Sequence, residues 1–361
     1  MKRLILTTLG TLVAAPAAVS AETLNIYNWS DYIAENTITQ FEAATGIDVN
    51  YDVYDSNEVL EAKMLAGNSG YDLVVPTSDF LQRQVAAGAY QPIDKSLLPN
   101  LVNMDEDIMA TAAEYDPDNE HSVVYLWGTT GIGYNVEAVA ERLGADTPVD
   151  SWELLFNPEI VAKLADCGVS MLDAPTEVLP AAMNYLGLDP RSTDTKDFEA
   201  AEELLTSIRP HIRYFHSSQY ISDLANGDTC VALGWSGDVF QAQARASEAD
   251  NGVEIGYIIP KEGALQWFDL MAIPVDAPNP AAAHKFINFV MDAQVTADIT
   301  NYVWYGNANK ASMPLVDEEI KADPGIFPTE AAKEKLWAGM VYNARQDRSL
   351  TRSWTKVKTG K

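Results

Sequence analysis

Two short segments of this sequence bring an aromatic ring, a hydroxyl group and a carboxylate close together. They are Trp29-Ser30-Asp31-Tyr32 and Trp235-Ser236-Gly237-Asp238, and each follows a strand-like apolar run. An aromatic face attracts an ammonium or guanidinium group by about 0.5 to 2 kcal/mol, and a nearby carboxylate adds a charge-assisted hydrogen bond. Ser and Asp are also common helix caps, which is the simpler explanation for either segment alone. Two copies at equivalent junctions indicate a site for an organic cation.

Three more acidic residues stand at positions where a ligand could use them. Asp79 follows the strand-like residues 71–75, Glu177 lies in the first turn of a predicted helix, and Asp269 interrupts an apolar strand. An acid in a first helical turn can simply complement the helix dipole, but a charge inside an apolar strand is costly unless it is paired. Neither Arg nor Lys occurs in these junctions. A flexible dication fits the set best, with a carboxylate at each end and aromatic faces along its methylene groups.

Composition and motifs argue against several other classes of function. Lys and Arg number 24 against 52 Asp and Glu, a formal net charge of -28, so a nucleic acid is an implausible partner. The four histidines form neither an i, i+4 pair nor HExxH, and GxSxG does not occur, so no metal site, cofactor or catalytic residue is predicted. Carboxylates beside aromatic rings also occur in glycosidases. A carbohydrate-active hydrolase therefore remains the alternative from the enzyme class.

The first residues predict the compartment. Lys2 and Arg3 precede an apolar stretch and small residues that end at Ala21, which is the pattern of a cleavable signal peptide over residues 1–21 and predicts export to the periplasm. No later apolar run approaches the ~20 residues of a membrane span, so the chain is not expected to be membrane-embedded. In an oxidising compartment Cys167 and Cys230 are better explained as a disulfide than as two buried thiols. The expected assembly is a monomer.

The elements that must position these residues alternate between strand and helix. Strand-like residues 24–28, 47–53 and 71–75 enclose helical residues 37–44 and 57–66, which predicts an open α/β sheet with its ligand site at the carboxyl ends of the strands.

A second unit follows, with strands predicted at residues 168–172, 211–215 and 229–234. The glycine-rich residues 128–135 are predicted to interrupt the alternation of strand and helix and to act as a hinge between the lobes. Residues 266–273 are predicted to return the chain to the first lobe. Later helices are predicted at residues 281–293 and 330–338. The predicted lobes are residues 22–128 plus 250–300 and residues 129–249 plus 301–361.

Long consecutive strings of the sequence point to a known family. They include IYNWSDYI (26–33), YDVYDSNEVLE (51–61), TTGIGYNV (129–136), IRYFHSSQYI (212–221), GWSGDV (234–239) and WTKVKTGK (354–361). Through them the chain resembles the periplasmic polyamine-binding proteins of ABC importers, most of all the putrescine receptors. The resemblance implies a two-lobed type II periplasmic binding-protein fold that closes on a ligand in the cleft between the lobes. It also implies delivery of that ligand to a membrane permease.

The resemblance also implies roles for individual residues. It implies an aromatic box made of Trp29, Tyr32, Trp235, Trp267 and Tyr305. It implies amine contacts, direct or through water, from Ser30, Asp31, Thr77, Glu177, Ser217, Asp238 and Asp269. Asp238 and Asp269 are expected to form the direct salt bridges, one from each lobe. Cys167 and Cys230 match the disulfide pair of the family.

Some positions depart from the putrescine receptors, and they bear on the choice of ligand. Those relatives usually have Ser where this chain has Asp79 and Phe where it has Trp267, while Gly339 replaces a larger apolar residue. Ala174 matches the putrescine type. An extra acid and more room are expected to admit a third amine. The predicted ligand is therefore putrescine first and spermidine close behind, with agmatine or cadaverine as alternative organic cations.

Overall fold

The structure is a computed structural model that describes residues 22–360, so the predicted signal peptide, residues 1–21, lies outside the described residues. Eleven strands of this part of the chain form one mixed sheet. The strands are β1 Thr23–Trp29, β2 Asp48–Tyr54, β3 Leu73–Val74, β4 Ser122–Asn135, β5 Val169–Met171, β6 Tyr214–Phe215, β7 Val231–Trp235, β8 Ile255–Ile258, β9 Leu265–Ala272, β10 Gly306–Asn307 and β11 Trp337–Ala338.

Helices connect the strands and cover the sheet. The α-helices are α1 Thr37–Thr45, α2 Asn57–Ala66, α3 Ser78–Ala86, α4 Glu106–Ala112, α5 Val136–Leu143, α6 Glu153–Phe156, α7 Pro158–Leu164, α8 Pro175–Tyr185, α9 Thr195–Ile208, α10 Gln219–Asn226, α11 Ser236–Ala249, α12 Pro280–Val290, α13 Ala293–Val303, α14 Glu318–Ala322, α15 Glu330–Lys333 and α16 Ala344–Thr359. Short 3-10 turns lie at Lys95–Leu97, Pro99–Asn103, Pro117–Asn119, Arg209–His211 and Met313–Leu315. No helix in residues 22–360 combines the length and the apolar character needed to cross a membrane.

The sheet has a parallel set of strands at each end and an antiparallel pair in the middle. Its order is β2-β1-β3-β9-β4-β7-β5-β6, with β8 and β10 added on β4 and β11 on β9. β1 pairs in parallel with β2 and β3, and β5 pairs in parallel with β6 and β7, whereas β4 and β9 are antiparallel. Parallel strands joined by helices are the signature of α/β architecture, so the predicted fold class is confirmed.

The sequence predicted that the glycine-rich residues 128–135 interrupt the alternation of strand and helix, but the structure places them inside a strand. They form the second half of β4, a single strand of 14 residues that pairs first with β9 and then with β7 and β8. Its glycines make room for neighbours. A Cβ on Gly131 would lie 2.3 Å from the carbonyl oxygen of Ile258, and one on Gly133 would lie 2.7 Å from a methyl group of Val239. Close packing across the strand, rather than a loop, explains the small residues.

A second correction concerns residues 330–338, which were predicted to form one helix. The helix α15 ends at Lys333, and Trp337 and Ala338 pair instead with Leu265 and Gln266 of β9. The backbone N–H of Trp337 donates to the carbonyl oxygen of Ala264 at 3.0 Å. Strand pairing with β9 therefore overrides the local helical preference and brings the next residue, Gly339, to the cavity described below.

Cys167 and Cys230 form a disulfide, as predicted. Their Cα atoms are 5.5 Å apart, and the two residues lie just before the neighbouring parallel strands β5 and β7. The backbone N–H of Cys230 also donates to the carbonyl oxygen of Gly168 at 2.9 Å. The bridge thus fastens two strands that are 63 residues apart in sequence.

Candidate functional site

A single cavity collects the polar residues that follow the strands. It lies against the carboxyl ends of β1, β3 and β7 and the middle of β9, and about 570 Å³ of space free of protein atoms, part of it open to solvent, lies within its outline. Ligand sites of open α/β sheets are expected at such strand ends. Its wall consists of Trp29, Ser30, Tyr32, Asn57, Thr77, Asp79, Phe80, Thr176, Glu177, Trp235, Asp238, Leu265, Trp267, Asp269, Tyr305 and Gly339.

Asp269 is a buried acid held by two hydroxyl groups. It is 4% exposed and lies on β9, opposite Thr77 in an isolated antiparallel bridge. The hydroxyl of Thr77 donates to Oδ1 at 2.6 Å, and the hydroxyl of Tyr32 donates to Oδ2 at 2.8 Å. Burial raises the pKa of Asp269 to about 7, although both hydrogen bonds favour the carboxylate. Near neutral pH this acid is therefore poised between its two protonation states.

Asp238 has the same kind of environment on the other side of the cavity. It lies in the first turn of α11 and is 4% exposed. The hydroxyls of Tyr305 and Tyr220 donate to Oδ1 and Oδ2, each at 2.7 Å, and the backbone N–H of Asp238 donates to the Tyr305 hydroxyl at 3.1 Å. Burial again raises the pKa to about 7. Two tyrosines thus fix the carboxylate in one orientation.

A line of aromatic rings connects the two aspartates. Tyr32, which donates to Asp269, meets Tyr305, which donates to Asp238, edge-on with ring centroids 5.0 Å apart. Trp267 lies 5.5 Å from Tyr305 between ring centroids. Edge-on aromatic pairs of this kind stabilise each other and present π-faces to a bound group. The wall between the two acids is therefore apolar and aromatic.

Glu177 is the third buried acid, in the first turn of α8. The indole N–H of Trp235 donates to its carboxylate at 3.0 Å, and the hydroxyl of Thr130 donates to Oε2. The indole N–H of Trp267 donates in turn to the Thr130 hydroxyl at 3.2 Å. Burial raises the pKa of Glu177 to about 8. The indole of Trp235 is thereby tied to this acid directly, and that of Trp267 through Thr130.

Asp79 is the fourth buried acid, and its environment differs. It is 8% exposed in the first turn of α3, and burial raises its pKa to about 6. The opposing influences are the charge of Arg83 and the backbone N–H groups of Asp79 and Phe80 at the start of the helix. No side chain of residues 22–360 donates a hydrogen bond to its carboxylate.

Two residues predicted for the site lie outside the cavity wall. Asp31 adopts a positive φ of 55° and pairs with Arg245, whose Nη2 lies 2.6 Å from Oδ1. Its side chain therefore faces a cation of the protein. Ser217 is buried, and its hydroxyl accepts a hydrogen bond at 3.1 Å from the backbone N–H of Asp173. It supports the turn that leads to Glu177.

Sequence reasoning missed four residues of the wall, Asn57, Phe80, Thr176 and Leu265. Asn57 accepts from the Thr77 backbone N–H at 3.2 Å and donates to the Thr77 hydroxyl at 2.9 Å, so it supports the partner of Asp269. A signal was available, because Asn57 starts the helix that follows β2. Phe80 and Leu265 carry no polar group that could have marked them.

The chemistry of the cavity favours a cation. Four buried carboxyl groups line it, and the wall contains neither Lys nor Arg. An ammonium group would supply the charge that lets each acid ionise in a buried setting. Within residues 22–360, no cluster of His, Cys, Asp and Glu is arranged to hold a metal ion.

Comparison with known proteins gives consistent matches. Residues 36–329 match the family described as bacterial extracellular solute-binding protein. The chain is 54% identical over 358 residues to a putrescine-binding periplasmic protein of Pseudomonas aeruginosa, covering 99% of this chain and 98% of that protein. It is also 54% identical over 345 residues to the putrescine-binding periplasmic protein of Escherichia coli, covering 95% and 93%.

Solved structures resemble the whole chain as well. A putative spermidine/putrescine ABC transporter protein from Listeria monocytogenes aligns with a TM-score of 0.84 at 31% identity, covering 94% of this chain and all of that one. The spermidine/putrescine substrate-binding protein of Streptococcus pneumoniae aligns with a TM-score of 0.75 at 26% identity, covering 94% and 99%. The predicted two-lobed binding-protein fold is confirmed by these similarities.

Proposed function

The chain belongs to the family of bacterial extracellular solute-binding proteins, and from that premise we propose that it captures polyamines in the periplasm and delivers them to the permease of an ABC importer. The relatives at 54% identity are named for putrescine binding. They are binding proteins and not enzymes, so the glycoside hydrolase alternative is set aside.

The observation that carries this proposal is the pair Asp238 and Asp269. Both are buried, both accept two hydroxyl hydrogen bonds, and an aromatic wall joins them. We propose that each carboxylate binds one ammonium group while Tyr32, Tyr305 and Trp267 cover the methylene groups between them. The three tyrosine hydroxyls and the Thr77 hydroxyl use one lone pair on each carboxylate oxygen and leave others for the ligand.

The same proposal gives the remaining wall residues supporting roles. Trp29, Ser30, Thr77, Glu177 and Trp235 are proposed to surround the ammonium groups directly or through water. Ser217 is proposed to act through the Asp173 backbone that it holds.

Asp31 is proposed to act at the edge of the cleft. Its side chain pairs with Arg245 of α11, and its carbonyl oxygen accepts a hydrogen bond from Gln241 Nε2 at 3.1 Å. These contacts join the segment after β1 to α11.

We propose the two lobes predicted from the sequence, residues 22–128 with 250–300 and residues 129–249 with 301–361. In this division Asp269 belongs to the first lobe and Asp238 to the second. A dication that bridges the two acids would therefore favour closure of the lobes, because each lobe alone offers only one of the pair.

Export and assembly complete the proposal. Cleavage of the predicted signal peptide after Ala21 would release a mature chain that acts as a monomer in the periplasm. N-terminal sequencing of protein from a periplasmic extract and light scattering after gel filtration test these two points. A retained N-terminus or a dimer would contradict them.

Calorimetry on ligand-stripped protein tests the binding function. We expect putrescine and spermidine to bind and 1,4-butanediol, a neutral diol with the same four-carbon chain as putrescine, to leave the heat signal at baseline. Cadaverine and agmatine measure how strictly the cavity selects length and end group. Comparable binding of the diol would refute the cation site, and absence of binding by both polyamines would refute the function.

A further inference from the structure

Thr130 is a buried residue of β4 that does not line the cavity but contacts two residues that do. Its side chain is 1% exposed. Its hydroxyl accepts a hydrogen bond at 3.2 Å from the indole N–H of Trp267 and donates one to Oε2 of Glu177. Because Thr130 is not part of the wall, the contacts proposed for the ligand assign it no role.

The direction of these two hydrogen bonds is fixed by the groups that make them. An indole N–H can only donate, so the Thr130 oxygen accepts from Trp267 and its single hydrogen is left for Glu177. Oε2 of Glu177 also accepts from the indole N–H of Trp235 at 3.0 Å. Both lone pairs of Oε2 are thereby used.

Oε1 is the oxygen of Glu177 that remains for a ligand. It receives only the longer contact of the Trp235 indole N–H, at 3.1 Å. A proton on Glu177 must also be carried by Oε1, because Oε2 already accepts from two donors. A proton and an ammonium group of the ligand therefore compete for the same oxygen.

The indole of Trp267 is held against β4 at a second point. Gly128 lies opposite Trp267 in the pairing of β4 with β9, and a Cβ on Gly128 would lie 2.8 Å from Cζ2 of the indole. The six-membered ring therefore lies on the glycine backbone, and the N–H reaches Thr130 two residues further along the strand. Close packing and a hydrogen bond together fix this ring in the cavity wall.

Thr130 also acts on the charge of Glu177. Burial raises the pKa of Glu177 to about 8, and the hydrogen bond from Thr130 is the strongest contact that opposes this rise. The ionisable groups that interact with this carboxyl group are Asp79 of α3, Glu58 of α2, Tyr220 of α10 and Tyr257 of β8. None of these groups is a cation, and the wall contains neither Lys nor Arg. The carboxylate therefore depends on its hydroxyl and indole donors.

We infer that Thr130 is a positioning residue for ligand binding, which fixes the orientation of Trp267 and keeps Oε1 of Glu177 open for an ammonium group. This inference rests on the proposed polyamine function and adds to it a residue outside the cavity wall. Without the Thr130 hydroxyl, the indole N–H of Trp267 loses its acceptor and Glu177 ionises less readily. One hydroxyl group thus couples the aromatic wall to the third buried acid.

Thr130→Val tests the inference, because valine has nearly the shape of threonine but no hydroxyl group. Calorimetry with putrescine on the mature protein at pH 7, 8 and 9 measures the affinities. If loss of the hydrogen bond makes ionisation of Glu177 about tenfold less favourable, the loss of affinity between pH 9 and pH 7 becomes about fivefold larger than in the unmodified protein. Deprotonation of the ligand near pH 9 affects both proteins equally. An unchanged pH dependence would overturn the inference.

Two variants of the same strand are the matched controls. Thr130→Ser keeps the hydroxyl group and should show the pH dependence of the unmodified protein. Thr129→Val removes an equally buried hydroxyl, which lies 2.8 Å from the hydroxyl of Tyr257 and outside the cavity wall. It should lower the melting temperature but leave putrescine affinity and its pH dependence unchanged. A steeper pH dependence in either control would overturn the assignment to the Thr130 hydroxyl.

A double-mutant cycle tests the contact with Trp267. Phenylalanine has no N–H to donate, so Thr130→Val should weaken putrescine about threefold less in a Trp267→Phe background than in the unmodified protein. Equal weakening in both backgrounds would overturn the inference. If Thr130→Val does not fold, as judged by its thermal melt, Thr130→Ala replaces it in both tests.

The unmodified protein separates this inference from the function on which it rests. Its failure to bind putrescine and spermidine would refute the proposed function. Binding of putrescine by the unmodified protein, with the same pH dependence in Thr130→Val, would refute only the positioning role of Thr130.

Discussion

The affinity for a polyamine should fall steeply as the solution becomes more acidic. Burial raises the pKa of Asp238 and of Asp269 from the usual 3.8 to about 7. A rise of that size means that the net effect of burial and hydrogen bonding disfavours each carboxylate by about 4 kcal/mol. An amine of the ligand, with an ordinary pKa of about 10, stays charged between pH 6 and pH 8. The acids alone therefore set the pH dependence in this range.

The magnitude follows from linkage between proton and ligand binding. If an acid with a pKa of about 7 must ionise to bind an ammonium group, the apparent Kd is multiplied by about 11 at pH 6 but only by about 1.1 at pH 8. Asp238 and Asp269 then contribute about a tenfold loss each and about a hundredfold together, and Glu177, whose pKa burial raises to about 8, adds to this loss. At pH 6 binding should release about 0.9 of a proton from each of the two aspartates, in addition to the proton that Glu177 gives up.

Calorimetry of putrescine between pH 6 and pH 8 measures both quantities. Repeating each titration in two buffers with different ionisation enthalpies gives the number of protons released. Asp238→Asn is the matched variant, because it cannot ionise at that position, and it should make the loss of affinity between pH 8 and pH 6 about tenfold smaller than in the unmodified protein. A Kd that varies by less than threefold in the unmodified protein would refute the reasoning.

Four further predictions follow from the same contacts. Asp238→Asn and Asp269→Asn should each cost about 2 to 4 kcal/mol of putrescine binding at pH 8, measured by calorimetry, with little change in the melting temperature; unchanged affinity would remove that residue from the site. Trp267→Phe should shift preference from spermidine toward putrescine in a competition assay, and a constant ratio would show that Trp267 does not set ligand length. The raised pKa values of Asp238 and Asp269 mean that the folded state binds more protons than the unfolded state between about pH 4 and pH 7. The free energy of unfolding of the ligand-free protein should therefore fall as the pH rises through this range. Urea titrations that show maximal stability at pH 7 would contradict this. Replacing Cys167 and Cys230 together by Ala should lower the free energy of unfolding by about 4 kcal/mol, as urea titration at fixed pH would show, and an unchanged midpoint would contradict the loop-entropy reasoning for a separation of 63 residues.

Local sequence patterns identify residues of the cavity wall wherever a polar residue follows a strand. Asp79, Asp238 and Glu177 all lie in the first turn of a helix that begins near a strand end, which is a local pattern. Asp269 stands out because a charge interrupts an apolar strand. These patterns involve only residues that are neighbours in the sequence, so they can be recognised before the fold is known.

Contacts between distant residues explain what the sequence could not show. The pairing of Asp31 with Arg245 joins residues 214 positions apart, and no local pattern distinguishes that role from ligand binding. The glycines of β4 were predicted to interrupt the alternation of strand and helix because their partner strands, β7 to β9, come about 100 to 140 residues later. Trp337 and Ala338 were predicted to be helical but pair with β9, a strand about 70 residues away in sequence. In each case a contact between residues far apart in sequence decided between two roles or conformations that the local sequence allowed.

Two tryptophans of the cavity wall provide an optical signal. Trp29 at the end of β1 and Trp235 at the end of β7 meet edge-on, with ring centroids 5.4 Å apart, and they belong to opposite proposed lobes. Indole rings this close couple electronically, and they also quench or shift each other's emission. Separation of the lobes would break the pair. Near-ultraviolet circular dichroism and intrinsic fluorescence should therefore follow opening and closure in real time, without a dye or an engineered label.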